Sequence, residues 1–412
     1  MSPQASSASK DALKAAASIS TLAVHSDDGI SAHRAVAPAI HVSTTFRYGS
    51  DPKDSTQWTS IDPSAPHDSH VYSRDSHPNT TRLEAVLSSI LNGPAVTYAS
   101  GLAGFHAMMI LLNPKRIAIT DGYHGCHGVI ELLGRLTGLK TVPLDCDDAE
   151  LQPGDVIHVE TPLNPLGEAR SLAYYAAKAK RTGAYLTVDA TFAPPPLQDP
   201  FRYNADLVMH SGTKYIGGHS DLLCGVVAVN PKHASASIPA AENWEARLRD
   251  DRMVTGSVLG SLEGWLGLRS VRTLELRVLR QSATATQLVQ WLATAAADAA
   301  SPVNKVVQRV HHASLQTGPE NSWLVEQMPN GFGPVFAVIC KDEKLARTLP
   351  SKLAFFQHAT SLGGVESLVE WRSMSDEHAP PTLLRFSIGV EAFEDLKADL
   401  LQGFEAMIAE LL

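Results

Sequence analysis

The stretch 206–229, DLVMHSGTKYIGGHSDLLCGVVAV, holds a single lysine, Lys214, with the hydroxyls of Ser211, Thr213 and Ser220 around it. An apolar run leads into it and another, Val226–Val229, follows it. A lysine buried between such runs without a carboxylate beside it is costly, so its presence asks for a chemical reason. A covalent one fits: an amine held as a Schiff base to an aldehyde cofactor.

Other residue types along the chain suit the same chemistry. Ser100-Gly101-Leu102-Ala103-Gly104 follows an apolar run and opens a helical pattern. Free backbone N–H groups and the helix dipole there suit a phosphate, or the residues form a tight strand–helix turn with no ligand. Asp189 ends the run AYLTVDATF, where it is placed for a ligand ring nitrogen or for a helix cap. Tyr123 either stacks on a planar ring or packs in the core. Asn164, in the proline-fixed loop ETPLNP, is the polar group aimed inward. Arg385, in the strand-like run LLRFSI, either pairs with an acidic group or receives a substrate carboxylate through its fork. His124, Cys126 and His127 do not have the spacing of a zinc site, so no metal is expected.

These residues need elements to position them. Strand patterns fall at 95–98, 116–120, 140–144, 156–160, 184–189, 206–210 and 225–229, with helical patterns at 102–112, 124–136 and 172–182. Leu83, Val86, Leu87, Ile90 and Leu91 also recur at helical spacing. Alternation of this kind predicts an α/β layered domain with a mainly parallel sheet. Residues 262–291 read as one long helix, 335–339 and 384–388 as strands, and 392–412 as a closing helix, which together predict a smaller α+β domain. The expected division is a tail and arm over 1–70, a large domain over 71–250 and a C-terminal domain over 251–412.

Composition excludes several classes. There are 34 basic and 43 acidic residues, a formal charge of -9, so a nucleic-acid partner is not expected. The longest aliphatic run, 107–112, is far too short for a bilayer, and no membrane partner is expected. The four cysteines form no framework, and the Ala/Ser-rich start lacks a secretory core and the arginines of a mitochondrial leader. A cytoplasmic location is the expectation.

Taken together, DLVMHSGTKYIGGHSD, YSR at 72–74, SG at 100–101, ETPLNP at 160–165 and VDATF at 188–192 are specific. From about Thr21 to the C-terminus the chain resembles the Cys/Met-metabolism family of pyridoxal-phosphate enzymes, the cystathionine γ-synthase-like group. The resemblance implies a fold type I, aspartate-aminotransferase-like architecture with a seven-stranded sheet. It implies pyridoxal 5'-phosphate bound to Lys214 as an aldimine, with Asp189 at the ring nitrogen and Tyr123 stacked on the ring. It further implies a phosphate cradle of Gly101, Leu102, Ser211 and Thr213, with Tyr72 and Arg74 reaching the site of a neighbouring subunit. Tyr72 and Tyr123 are then candidates for proton traffic. By the same likeness Arg385 anchors the α-carboxylate of a small amino-acid substrate beside Asn164, and Ser361 positions Arg385 and the lysine. A homodimer with shared sites follows, or a homotetramer of two such dimers.

The implied activity is a carbon–sulfur lyase acting on cystathionine or a related thioether amino acid through a carbanion. The alternatives are a γ-replacement transferase using an O-activated homoserine, and a non-catalytic relative of the fold. The chain departs from the family's pattern in places. His77, Pro78 and Asn79 stand where Asn-Pro-Thr is common, Ala190 replaces an asparagine, and Thr360 stands where γ-specific members often carry glutamate. The stretch WRSMSDEHAPPTLLRF after Glu370 is shorter than usual. These departures leave the cofactor residues intact and bear on the substrate and the tetramer interface.

Overall fold

Seven strands form the first sheet, in the order β1-β7-β6-β5-β4-β2-β3. They are β1 (Ala95–Tyr98), β2 (Arg116–Ala118), β3 (Lys140–Val142), β4 (Val156–Glu160), β5 (Tyr185–Asp189), β6 (Leu207–Ser211) and β7 (Gly225–Val229). The computed structural model describes residues 16–30, 35–51, 53, 57 and 70–411; the tail before 16 and part of the arm lie outside them. Strands β2 to β6 pair parallel, while β7 runs antiparallel to both β1 and β6. Every residue of β4 and β7 is buried, the condition of a sheet covered on both faces. The expected edges move by one or two residues, as at β3, which ends at Val142 and not at Leu144.

The carboxyl ends of the parallel strands deliver the chemistry-bearing residues to one edge. Chain leaving β1 reaches Ser100 and helix Gly101–Leu112, and chain leaving β2 reaches Tyr123 and helix His124–Thr137. Glu160 and Asp189 end β4 and β5 as register partners, and Ser211 ends β6. An open parallel sheet binds ligands at such an edge.

A second sheet, β10-β11-β12-β9-β8, is built later in the chain. It consists of β8 (Val307–His311), β9 (Val335–Cys340), β10 (Gln357–His358), β11 (Leu368–Trp371) and β12 (Leu383–Ser387). Helix Phe393–Leu411 covers it with Leu396, Leu400, Phe404 and Met407. In β12, Arg385 stands opposite Glu370 of β11 and Ala337 of β9.

The helix expected over 262–291 is two helices, Ser261–Val271 and Leu274–Ala297. The break lies at Arg272-Thr273. The Arg272 guanidinium donates to the Val24 carbonyl and to Asp27, and the Thr273 hydroxyl donates to the Ser270 carbonyl, which competes with helical bonding. The second helix joins the two halves of the molecule. Leu274 and Val278 belong to the core of the first sheet, and Leu288, Val289 and Leu292 to that of the second. Its Arg277 donates to the Tyr215 carbonyl at 2.7 Å, and its Gln281 to the carbonyls of Gly364 and Ile388. One rigid element therefore holds the lysine turn and the loop before β11 in fixed relation.

Strand β1 is tied down by a buried charge cluster. Glu84 of helix Pro78–Ile90 accepts from Arg249 and Arg252, both at 2.6 Å, and from the Thr97 N–H and hydroxyl. Burial raises the Glu84 pKa, but the two guanidinium groups and the Thr97 bonds outweigh it and bring the value from 4.5 down to about 2. Removing the carboxylate leaves buried Arg252 without its acidic partner and Arg249 with Glu245 alone. Glu84→Ala is expected to lower unfolding free energy by about 3–5 kcal/mol in denaturant melts at pH 7. The folded-state pKa lies below the unfolded one, so this contribution is present above pH 4.5 and is lost as pH falls towards 2. The gap between wild type and variant is expected to close over that window; a gap independent of pH overturns the assignment.

Candidate active site

A cavity of about 480 Å³ opens where the edge of the first sheet meets the second. Lys214, Tyr123, Asp189, Gly101, Leu102, Ser211, Thr213, Asn164, Arg385, Thr360 and Ser361 all line it. Residues far apart in sequence are thus brought to one place. Tyr72 and Arg74 are not brought there. Tyr72 is 45% exposed, and Arg74 lies over the Tyr72 ring and donates to the Met253 carbonyl.

Lys214 follows β6 in a turn in which its own N–H donates to the Ser211 carbonyl. Its Nζ donates to Ser361 Oγ at 2.6 Å, its one hydrogen bond among the described residues. Burial, with the nearby Arg385 charge, brings its pKa from 10.5 down to about 8, and Glu370 opposes the shift. The amine is thus poised between ammonium and free base near neutral pH. Ser361 has a left-handed backbone, with φ of 76°, and its carbonyl accepts from Arg385 at 2.9 Å. One residue contacts both cations.

Of the alternatives its sequence left open, Arg385 shows the pairing. It is paired, with Glu370, and it also lines the cavity. It donates to Asn164 Oδ1 at 3.0 Å as well. Burial raises the Glu370 pKa, but Arg385, the Ser375 hydroxyl and Arg372 outweigh it, so Glu370 is held below the ordinary carboxylate range. Arg372 donates to Glu370 and to Ser375, and both Arg372 and Ser375 line the cavity.

The floor is a strand-end carboxylate. Asp189 is buried, which raises its pKa, while Thr191 opposes this through side-chain and backbone bonds. Thr191 Oγ1 also accepts from the Ser211 N–H at 2.8 Å. Beside it, Glu160 accepts from the N–H groups of Tyr123 and Asn164, each at 2.7 Å.

These features fit a planar, phosphorylated aldehyde. The first amides of helix Gly101–Leu112 have no carbonyl of their own helix to bond, and Ser100 caps the helix through the Ala103 N–H. Gly101 lies against Ser211, where an added Cβ would come within 3.1 Å of the serine Cβ. That close approach leaves a shallow cradle lined by two amides and two hydroxyls. Asp189 supplies a buried acceptor for a ring nitrogen, and Lys214 the amine.

Glu160, Thr191, Glu370, Arg372 and Ser375 were not singled out by sequence reasoning. Glu160 stood in the ETPLNP run, but a carboxylate ending a strand shows its role only once its N–H partners are known. Arg372 and Ser375 stood in the stretch that departs from the family's pattern, and Glu370 directly before it. The sequence departures elsewhere are structural: His77 caps helix Pro78–Ile90, and Asn79 bonds the Ala39 carbonyl and the His41 N–H of the arm.

Comparisons with known proteins identify the family and the fold. A family model for Cys/Met metabolism PLP-dependent enzymes matches residues 20–405. A cystathionine beta-lyase of Lactococcus lactis subsp. cremoris is 32% identical over 358 residues, covering 82% of this chain and 88% of that protein. A cystathionine gamma-lyase of Bacillus subtilis is 31% identical, covering 82% and 89%. The crystal structure of a cystathionine gamma synthase from Xanthomonas oryzae pv. oryzae superposes with a TM-score of 0.82 at 27% identity, covering 96% and 100%. The two-sheet architecture is that of fold type I enzymes using pyridoxal 5'-phosphate. The chain belongs to the Cys/Met metabolism family of PLP-dependent enzymes.

Proposed function

We propose that the protein is a carbon–sulfur lyase acting on cystathionine or a related thioether amino acid by elimination. The observation that carries this is the Lys214 amine, bonded only to Ser361 Oγ among the described residues and brought to a pKa of about 8 by burial. Such a group can both take and return a proton at neutral pH.

In this reading Gly101, Leu102, Ser211 and Thr213 hold the cofactor phosphate, Tyr123 stacks on the ring and Asp189 keeps a proton on the ring nitrogen. The cofactor, when bound, supplies an electron sink for charge left at the substrate α-carbon. Arg385 receives the α-carboxylate through its fork, steadied by Asn164 and Ser361. Lys214 Nζ takes the α-proton; for a γ-leaving group it takes a Cβ proton as well. The Tyr123 hydroxyl, on a side chain 41% exposed at the mouth, delivers a proton to the departing sulfur. Thr360 offers a hydroxyl at the substrate side. Elimination needs no second substrate, and the Lactococcus relative's name, cystathionine beta-lyase, supports the assignment.

Tyr72 and Arg74 complete the site of a neighbouring copy in the same reading. Their position outside their own chain's cavity and the exposure of Tyr72 support it.

Three outcomes are expected. L-cystathionine and water alone yield a 2-oxo acid, ammonia and the released thiol; a preference for thioether formation from an O-acylhomoserine and cysteine overturns the lyase reading. After cofactor removal, the rate at which added pyridoxal phosphate restores visible absorption rises with pH through about 8, because the neutral amine is the nucleophile. A midpoint near 10.5 overturns the perturbed Lys214. Lys214→Ala and Arg74→Ala chains, each inactive, regain about one quarter of wild-type activity when unfolded and refolded together, since mixed dimers hold one intact shared site. No recovery overturns the cross-subunit role.

A further inference from the structure

Glu160 sits at the end of β4, buried at 8% exposure, between two walls of the cavity. Its Oε2 accepts from the N–H of Tyr123 and its Oε1 from the N–H of Asn164, both at 2.7 Å. Tyr123 is the N-cap of helix His124–Thr137, and its own side chain makes no capping bond. A carboxylate there also meets the positive end of the helix dipole. Asn164 in turn accepts from Arg385 at 3.0 Å. A single carboxylate therefore lies in a chain of contacts from the wall carrying Tyr123 to the arginine on the second sheet.

The backbone around Glu160 leaves room for little else. Gly122 has φ of +121°, and a Cβ built there would lie 2.5 Å from Glu160 Oε2. The turn before Tyr123 thus needs a glycine both for its conformation and for the carboxylate's approach. Burial, followed by the charge of Asp189, pushes the Glu160 pKa up to about 8, while the two N–H bonds pull it back. Those amides are the compensation the buried group receives.

We propose that Glu160 is a positioning residue that fixes the separation between Tyr123 and Asn164, and through Asn164 the orientation of Arg385. This deepens the site described above; it rests on Arg385 receiving a substrate carboxylate and not on which bond is broken. The two bonds are short and use both oxygens. Glutamine at this place keeps the shape but turns one acceptor into a donor facing an N–H. One wall then loses its anchor, and a buried donor is left unpaired.

Glycine is a suitable probe, because it carries the carboxylate and no leaving group. Its affinity for the holoenzyme is read from the change in the cofactor's visible spectrum, with every variant measured at full cofactor stoichiometry. Glu160→Gln is expected to weaken glycine binding about tenfold, and Asn164→Ala to a similar degree. If Glu160 acts through Asn164, the double variant is weaker than Asn164→Ala by no more than about twofold. Losses that multiply, or an unchanged glycine affinity in Glu160→Gln, overturn the proposal. Should Glu160→Gln fail to fold, Gly122→Ala displaces the same carboxylate and is paired with Asn164→Ala in the same cycle. A failed lyase reading shows in the products from cystathionine and leaves the glycine result untouched.

Discussion

A partly buried lysine amine with no counter-ion in contact among the described residues is the constraint around which the molecule is arranged. Lys214 keeps its amine half out of water with the Ser361 hydroxyl as its one hydrogen-bond partner among the described residues, and its proton becomes labile as a result. A carboxylate beside Nζ would have restored the ordinary lysine range and removed that lability. The acidic groups are instead spent on other partners: Glu370 on two arginines, Asp189 on Thr191, and Glu160 on two backbone amides.

Holding the amine in that state requires two sheets to meet at a fixed distance. The lysine belongs to a turn between β6 and β7, and its serine to the loop before β11. Helix Leu274–Ala297 reaches both, with Arg277 on the Tyr215 carbonyl and Gln281 on Gly364 and Ile388. Its apolar face enters both cores, so the relation between the sheets is set by packing as well as by these bonds.

Much of this was legible in the sequence, and what was not has physical reasons. Strands buried on both faces read as apolar runs, so β1, β4 and β7 stood out with their limits. Lys214 and Asp189 were legible because each follows such a run. Strand β8 was not, since its burial is broken by two exposed residues and by an irregular register against β9 between Val307 and Arg309. The helix break at Arg272-Thr273 has neither glycine nor proline to announce it; it depends on Val24 and Asp27, about 250 positions away. Arg385 was visible as a choice between pairing and binding. Its pairing partner, Glu370, is its cross-strand neighbour and could be named only with the register in hand.

The spacing of these contacts along the chain also orders the assembly of the site in time. All seven strands of the first sheet have been synthesised by Val229, and with them the lysine, the strand-end acids and the glycine turn. The serine that touches Lys214 lies 147 residues further on, and the arginine that touches Asn164 lies 221 further on. Closing such long loops costs entropy that only the finished second sheet repays. A nascent or truncated chain therefore has the first-sheet edge of the cavity before it has the wall carrying Ser361 and Arg385. An enclosed site is the last feature the polypeptide acquires.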